Sequence, residues 1–121
     1  TDNNFNRRKY DYGLIISDFN KKIKNVEYLI KYLLNKKEYN NKIILIGKNC
    51  GKYSKDFDVI DGLIENDKMN EYYKNIKFIV QNSYYESCSN VVIEGIFNGC
   101  IIDNTIIILI NELTFSIFNL W

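Results

Sequence analysis

The sequence predicts an α/β domain in three layers, with a mostly parallel sheet between helices. Short apolar runs of strand length alternate along the chain with stretches of helical periodicity. The 121 residues suit one domain, and 46% hydrophobic with 26% charged residues is the composition of an ordinary folded protein. No internal repeat or interdomain linker is evident in the chain.

The first elements form a strand-helix-strand unit. The apolar runs YGLIIS at 12–17 and KIILIG at 42–47 predict two buried strands. Between them, 25–37 places apolar side chains at the spacing of an amphipathic helix. These side chains are Val26, Leu29, Ile30, Leu33 and Leu34. Such units are nearly always right-handed and parallel.

A polar, glycine-punctuated segment comes next and holds a short predicted strand at 57–60. Residues 65–75 predict a short helix that begins near Asn66 or Asp67. The apolar run IKFIVQ at 76–81 predicts another strand.

The last predicted helix covers 89–98 and follows a loop at 82–88. Gly99 stands where a glycine typically ends a helix, and a further strand is expected at 100–102. With this alternation of strands and helices, the predicted sheet is Rossmann-like.

The two ends of the chain differ from the rest. Residues 1–11 are predicted to be a flexible N-terminal extension of a ligand-binding domain at 12–103, and 104–121 an atypical apolar tail. The apolar run at 106–110 has neither helical nor strand alternation. A divergent, a frame-shifted and a truncated ending are all compatible with this tail.

Charge and cysteine content exclude several classes of protein. A formal net charge of +1 gives no reason to expect nucleic acid or an anionic membrane as partner. The longest apolar run, IIILI, is far shorter than the ~20 residues of a transmembrane helix. The three widely spaced cysteines, without any histidine, do not form a mixed zinc motif. We therefore expect a cytoplasmic protein without a metal.

The stretch SYYESCSNVVIEGIFNGC, at 83–100, contains two glutamates separated by a polar turn. If Ser89 caps the helix, the free N–H groups of the first turn open at the carboxyl end of the preceding strand. Parallel sheets bind ligands at this edge, and a helix N-terminus there binds phosphate. Glu86 and Glu94 would then contact two parts of one ligand. The alternative is that Glu86 is solvated and Glu94 belongs to an exposed helix face.

The helix after the turn has a polar and an apolar side. Asn90, Glu94 and Asn98 recur every four residues and form one polar stripe. The apolar side chains predicted to face the sheet are Val92, Ile93 and Ile96.

This stretch resembles the E-x7-E signature of retaining GT-B glycosyltransferases, family 4 in particular. The matching positions are Ser83, Glu86, Ser89, Asn90, Glu94 and Gly99. The resemblance extends over roughly 12–102 and covers the donor-binding half of such an enzyme. It implies an incomplete half of a GT-B fold.

The resemblance implies a role for each matching residue. Glu86 would contact the donor sugar as the catalytic residue, and Glu94 would bind the ribose. The residues implied at the diphosphate are Ser87, Cys88, Ser89, Asn90 and Val91. The ligand would be a nucleotide-sugar such as a UDP- or GDP-sugar, bound without a metal or other cofactor.

Family members also carry an arginine and, five residues later, a lysine before glycine in the loop after the first strand. Lys24 matches the lysine, but Phe19 stands at the place of the arginine. Lys21 or Lys22 would then supply the positive charge in place of the arginine, as a point charge and without the bidentate geometry of a guanidinium. The alternative is that these lysines are simply solvated. By position, the resemblance also implies Ser17, Gly47 and Gly62 in donor binding.

The acceptor, whether glycan, lipid or protein, would be bound by an N-terminal domain that this chain lacks. The chain alone would therefore bind donor weakly and transfer little or nothing. Two alternatives remain open. One is a non-catalytic remnant or interaction module with the same fold, and the other is an unrelated flavodoxin-like nucleotide-binding domain.

Three other motifs do not fit their patterns. GKNCGKY has three residues between its glycines where a P-loop needs four, and Tyr53 replaces the Ser/Thr. Asp56-Phe57-Asp58 matches D-x-D, the metal motif of the other glycosyltransferase fold, but it lies in a charged loop of a chain whose other features fit the metal-independent type. DFDVIDG lacks the ligand and the glycine that a calcium loop requires.

Overall fold

The computed structural model describes residues 4–21, 26–82 and 90–105. Its strands form one sheet in the order β3-β2-β1-β4-β5, and every neighbouring pair is parallel. The strands are β1 (Tyr10–Asp18), β2 (Ile43–Lys48), β3 (Asp58–Asp61), β4 (Ile76–Gln81) and β5 (Ile101–Asn104). The predicted α/β, Rossmann-like class is confirmed.

Helices occupy the predicted places in the described chain, with small differences at their ends. They are α1 (Val26–Lys37), α2 (Asn66–Lys74) and α3 (Asn90–Phe97), with 3-10 helices η1 (Phe5–Arg7) and η2 (Cys50–Tyr53). Among the described residues, none of these helices has the length and apolar character needed to cross a membrane.

The two faces of the sheet are covered by different helices. Ile43 and Leu45 of β2 join a core cluster with the buried side chains of α1. Ile44 and Ile46 join a second cluster with those of α2. Alternate residues of a strand point to opposite faces, so one apolar run supplies both clusters. The three-layer arrangement is thus confirmed.

The sheet has one topological switch point. From β1 the chain adds β2 and β3 on one side, and then returns to add β4 and β5 on the other. The switch point therefore lies between β1 and β4, where open parallel sheets bind their ligands. The observed strand order also differs from the 2-1-3-4-5 order of flavodoxin-like folds.

The segment expected to be a flexible extension makes specific contacts where the structure describes it. The guanidinium of Arg8 donates hydrogen bonds to the carbonyl oxygens of Tyr73, at 3.1 Å, and of Ile76, at 2.9 Å. Its Nη2 also donates to the carbonyl oxygen of Asn98 at 2.7 Å. Arg8 therefore joins the N-terminal segment to the C-terminal ends of α2 and α3.

Helix α3 faces the sheet through other residues than predicted. Val91 packs against the second core cluster, and Gly95 is buried. A Cβ on Gly95 would lie 3.2 Å from Cγ1 of Ile79, so this glycine allows the close approach of helix and sheet. Ile93 is 50% and Ile96 59% exposed. The prediction that Ile93 and Ile96 face the sheet is wrong, because the helix packs through its glycine instead.

The C-terminal end of α3 follows the prediction. Gly99 has a φ of 84°, which favours glycine over residues with a Cβ. Its N–H donates to the carbonyl oxygen of Ile96 at 3.0 Å, and the N–H of Cys100 donates to that of Gly95 at 2.9 Å. These two bonds form a Schellman motif, so Gly99 ends the helix as expected.

Candidate functional site

The candidate site lies at the carboxyl edge of the sheet, beside the switch point. All five strands are parallel, so their carboxyl ends meet at this edge. Helix α3 connects β4 to β5 and runs back against the strands, which puts its N-terminal residue Asn90 at the same edge. The segment after β1, with Lys21, begins there too.

The predicted site residues fall into two groups. Those that lie outside the described residues are Lys22, Lys24, Glu86, Ser87, Cys88 and Ser89. Those within the described residues are Ser17, Lys21, Gly47, Gly62, Asn90, Val91 and Glu94.

Two lysines lie at this edge, one after β1 and one in η2 after β2. Nζ of Lys21 lies 3.3 Å from Oγ of Ser17, so these two predicted residues are neighbours. Nζ of Lys52, which the sequence did not single out, donates to Oδ1 of Asn20 at 2.6 Å. Both lysines line an open cleft of about 470 Å³. This volume is within the range of small-molecule sites.

Phe19 occupies the place where the resemblance has an arginine. Its side chain is 2% exposed and belongs to the first core cluster. Its ring also packs against that of Tyr53, with the centroids 6.2 Å apart. Phe19 is thus a core residue, and positive charge on this loop has to come from its lysines.

A hydrogen-bonded network joins the ends of three strands. Asn49, in the left-handed conformation with φ 67°, donates through Nδ2 to Oδ1 of Asp18 at 2.8 Å. Its backbone N–H donates to Oδ1 of Asp61 at 2.8 Å, and the N–H of Gly51 donates to Oδ2 at 3.0 Å. The Asn49 amide, followed by the N–H of Asn20, lowers the pKa of Asp18. These carboxylates hold the loop after β2 in position.

Two predicted glycines are adjacent at this edge. The N–H of Gly62 donates to the carbonyl oxygen of Gly47 at 3.1 Å. A Cβ on Gly47, where φ is +148°, would lie 1.7 Å from the carbonyl oxygen of Ile16. A Cβ on Gly62, where φ is +129°, would have no neighbour within 4 Å. Strand packing therefore requires Gly47, whereas Gly62 leaves open space beside the backbone.

The polar stripe of α3 faces α2. Nδ2 of Asn98 donates to Oδ1 of Asn70 at 3.3 Å. The half-buried Glu94 lies near enough to the phenol of Tyr73 for its charge to act on that group. Burial first, and then the negative charge of Glu94, raise the pKa of Tyr73 above its ordinary value. The stripe is thus a contact between helices, and Tyr73 is a partner that the sequence reasoning missed.

A buried acceptor lies directly after β4. Oδ1 of Asn82 is inaccessible to solvent, and no hydrogen-bond donor reaches it within the described chain. Buried polar atoms nearly always have a partner, so an unsatisfied one at a sheet edge is a candidate ligand contact. Sequence spacing carried no signal for it.

The acidic D-x-D residues lie at the opposite, amino edge of the sheet. The hydroxyl of Tyr10 donates to Oδ2 of Asp58 at 2.9 Å. Nζ of Lys37 lies 3.8 Å from Oδ1 of Asp56. Both carboxylates thus interact with side chains of the fold. Across 4–21, 26–82 and 90–105, no three acidic or cysteine side chains cluster as metal ligands would.

Comparisons of the chain with protein-family models, with curated proteins and with solved structures gave no significant match. The case for a function therefore depends on the sheet edge at the switch point and on the side chains around it.

Proposed function

We propose that this chain binds a nucleotide-diphosphate sugar, as the donor-binding half of a retaining GT-B glycosyltransferase. The observation that carries the proposal is topological. The two segments whose residues resemble the donor-binding pattern follow β1 and β4, and these strands flank the switch point. Segments far apart in the sequence thereby meet at the edge where such sheets bind nucleotides.

The diphosphate would lie between the N-terminus of α3 and the lysines after β1. The first-turn N–H groups of a helix lack intrahelical partners, and the helix dipole makes this end partly positive. Lys21 and Lys52 add two ammonium groups around the cleft after β1. Together these groups suit an anion, and they can stabilise the charge that develops on a departing diphosphate.

Glu94 would bind the ribose. An ionised carboxylate has about four lone-pair sites, so it can accept two ribose hydroxyls. Oδ1 of Asn82 is a further acceptor beside the same strand end.

Glu86 would hold the donor sugar while an acceptor hydroxyl attacks its anomeric carbon. The bond from that carbon to the diphosphate oxygen breaks, the bond to the acceptor oxygen forms, and the diphosphate leaves with the bonding electrons. The acceptor hydroxyl loses its proton in this exchange. Because the acceptor-binding half is a separate domain in such enzymes, the chain alone would bind donor weakly and transfer little.

Calorimetric titration with a panel of UDP- and GDP-sugars tests the proposal. We expect weak binding of at least one of them, and its loss in Glu94→Ala. Glu71→Ala is the matched control, since Glu71 is an exposed glutamate of α2. Equal donor affinity in wild type and Glu94→Ala would remove the role given to Glu94.

A second function, that of a non-catalytic remnant with the same fold, is favoured by one observation. The polar stripe that includes Glu94 contacts α2 through Asn98 and Asn70, and this contact needs no ligand. In that case Glu94→Ala lowers stability, while the wild type binds none of the nucleotide-sugars. The same titration, combined with urea unfolding, distinguishes the two functions.

A further inference from the structure

The chain contains a single Asn-Gly pair, Asn98-Gly99, directly after α3. Asparagine is one of the thermolabile residues. It loses its amide most readily before glycine, because glycine has no Cβ to hinder the backbone nitrogen that attacks the side chain. The pair lies at the opposite end of α3 from Asn90, and is thus separate from the proposed donor site.

Deamidation of this pair needs one bond to form and one to break. The backbone nitrogen of Gly99 bonds to Cγ of Asn98, and the bond from Cγ to Nδ2 breaks. The amide leaves as ammonia, which carries away the proton of the Gly99 N–H. Water then opens the resulting cyclic imide at either carbonyl, which gives aspartate or isoaspartate. Water is the only co-reactant.

Both reacting groups are hydrogen-bonded in the folded protein. Nδ2 of Asn98 donates to the carbonyl oxygen of Glu94 at 2.8 Å and to Oδ1 of Asn70 at 3.3 Å. The N–H of Gly99, whose nitrogen would attack, donates to the carbonyl oxygen of Ile96 at 3.0 Å. The reaction therefore requires the end of α3 to open first.

The product would change this junction permanently. A carboxylate in place of the Asn98 amide has no proton to donate and would face two acceptor oxygens, those of Glu94 and Asn70. Isoaspartate also adds a methylene to the main chain, next to the glycine whose φ of 84° ends α3. Arg8 belongs to the same junction, since its Nη2 donates to the carbonyl oxygen of Asn98 at 2.7 Å.

We propose that Asn98 is a deamidation site that the fold protects, and that its modification weakens the contact between α2, α3 and the segment with Arg8. Chain that has opened at this end would carry a lasting chemical mark, because hydrolysis of the imide does not restore the amide.

Incubation of the full chain at mildly alkaline pH, followed by peptide mass spectrometry, tests the site. We expect deamidation at Asn98 in guanidinium chloride, and a rate at least about tenfold lower in the folded chain, where local opening limits the reaction. Asn70→Ala removes one acceptor of the amide and should raise only the rate of the folded chain. Asn35→Ala, at an exposed position of α1, is the matched control and should change neither rate.

Stability measurements test the effect of the modification. Asn98→Asp copies the aspartate product, and its urea midpoint should lie below that of the wild type. Asn98→Ala removes the same donor without adding a charge and should lose less. No deamidation at Asn98 in the unfolded chain would overturn the site, and equal rates in the folded and unfolded chain would overturn the protection. A wild-type urea midpoint for Asn98→Asp would contradict the weakened contact.

Discussion

Burial, and then the negative charge of Glu94, on α3, raise the pKa of the Tyr73 phenol, on α2. Tyr73 is 1% exposed, so Glu94 acts on a group in the interior of the protein. Glu94 is the residue for which we propose ribose binding. Its environment thus includes a residue that the E-x7-E spacing does not contain.

Tyr73→Phe keeps the buried ring and removes only the hydroxyl. Because burial and then the charge of Glu94 raise the pKa of this phenol, the folded protein keeps its proton above pH 10 while the unfolded chain loses it. We therefore expect the variant to lose less stability than the wild type above pH 10, as measured by urea midpoints. Tyr72→Phe, at the neighbouring half-buried position, should follow the wild type, and a Tyr73→Phe profile as steep as that of the wild type would contradict this role of the phenol.

Arg8→Ala should destabilise the fold by about 2–3 kcal/mol, because hydrogen bonds to charged groups contribute more than neutral ones. The change leaves the carbonyl oxygens of Ile76 and Asn98 without this donor. Arg7→Ala removes the same charge from an exposed neighbour and should stay within about 0.5 kcal/mol of wild type. Equal urea midpoints for the two variants would mean that Arg8 does not anchor the segment.

Gly47→Ala and Gly62→Ala separate a steric effect from backbone strain. Both positions have positive φ, which costs about 1–3 kcal/mol for a residue with a Cβ. Only the Gly47 variant also meets a carbonyl oxygen, that of Ile16, so it should lose clearly more stability or fail to fold. Thermal unfolding gives the comparison. A Gly62 variant less stable than the Gly47 variant would contradict the packing around β1 and β2.

Stability should fall at alkaline pH. Burial, followed by the hydrogen bond to Asp58, raises the pKa of Tyr10 from 10.0 to about 12. Above pH 10 the unfolded chain loses this phenolic proton while the folded protein keeps it. The unfolded state then binds fewer protons, so the free energy of unfolding decreases as pH rises through this window. Urea midpoints measured from pH 8 upward should show the decrease, and a steeper one for wild type than for Tyr10→Phe.

Tyr32 should add to the alkaline loss for the same reason. Its hydroxyl donates to Oδ2 of Asp103 at 2.7 Å. Burial first, and then this carboxylate, raise the pKa of Tyr32 above its ordinary value. A profile that stays flat above pH 10 in the wild type would show that neither tyrosine remains buried and protonated in the folded protein.

The order of strands and helices could be predicted because each element carries its own local pattern. The run at 42–47 is apolar on both faces of a strand, as burial between two helical layers requires. The helix at 25–37 repeats its apolar side chains with the helical period. Gly99 was recognisable as a helix end, since a positive φ favours glycine wherever the helix lies.

The side of α3 that faces the sheet could not be predicted from a local pattern. Its sequence offers apolar residues on more than one side, and packing chose the side with Gly95 because the helix approaches Ile79 there. The hydrogen bonds of Arg8 to Asn98, and of Asn49 to Asp18 and Asp61, could not be predicted from the sequence either. Periodicity indicates only which side of its own helix or strand a residue occupies. Contacts between residues far apart in the chain exist only after the sheet has brought the elements together.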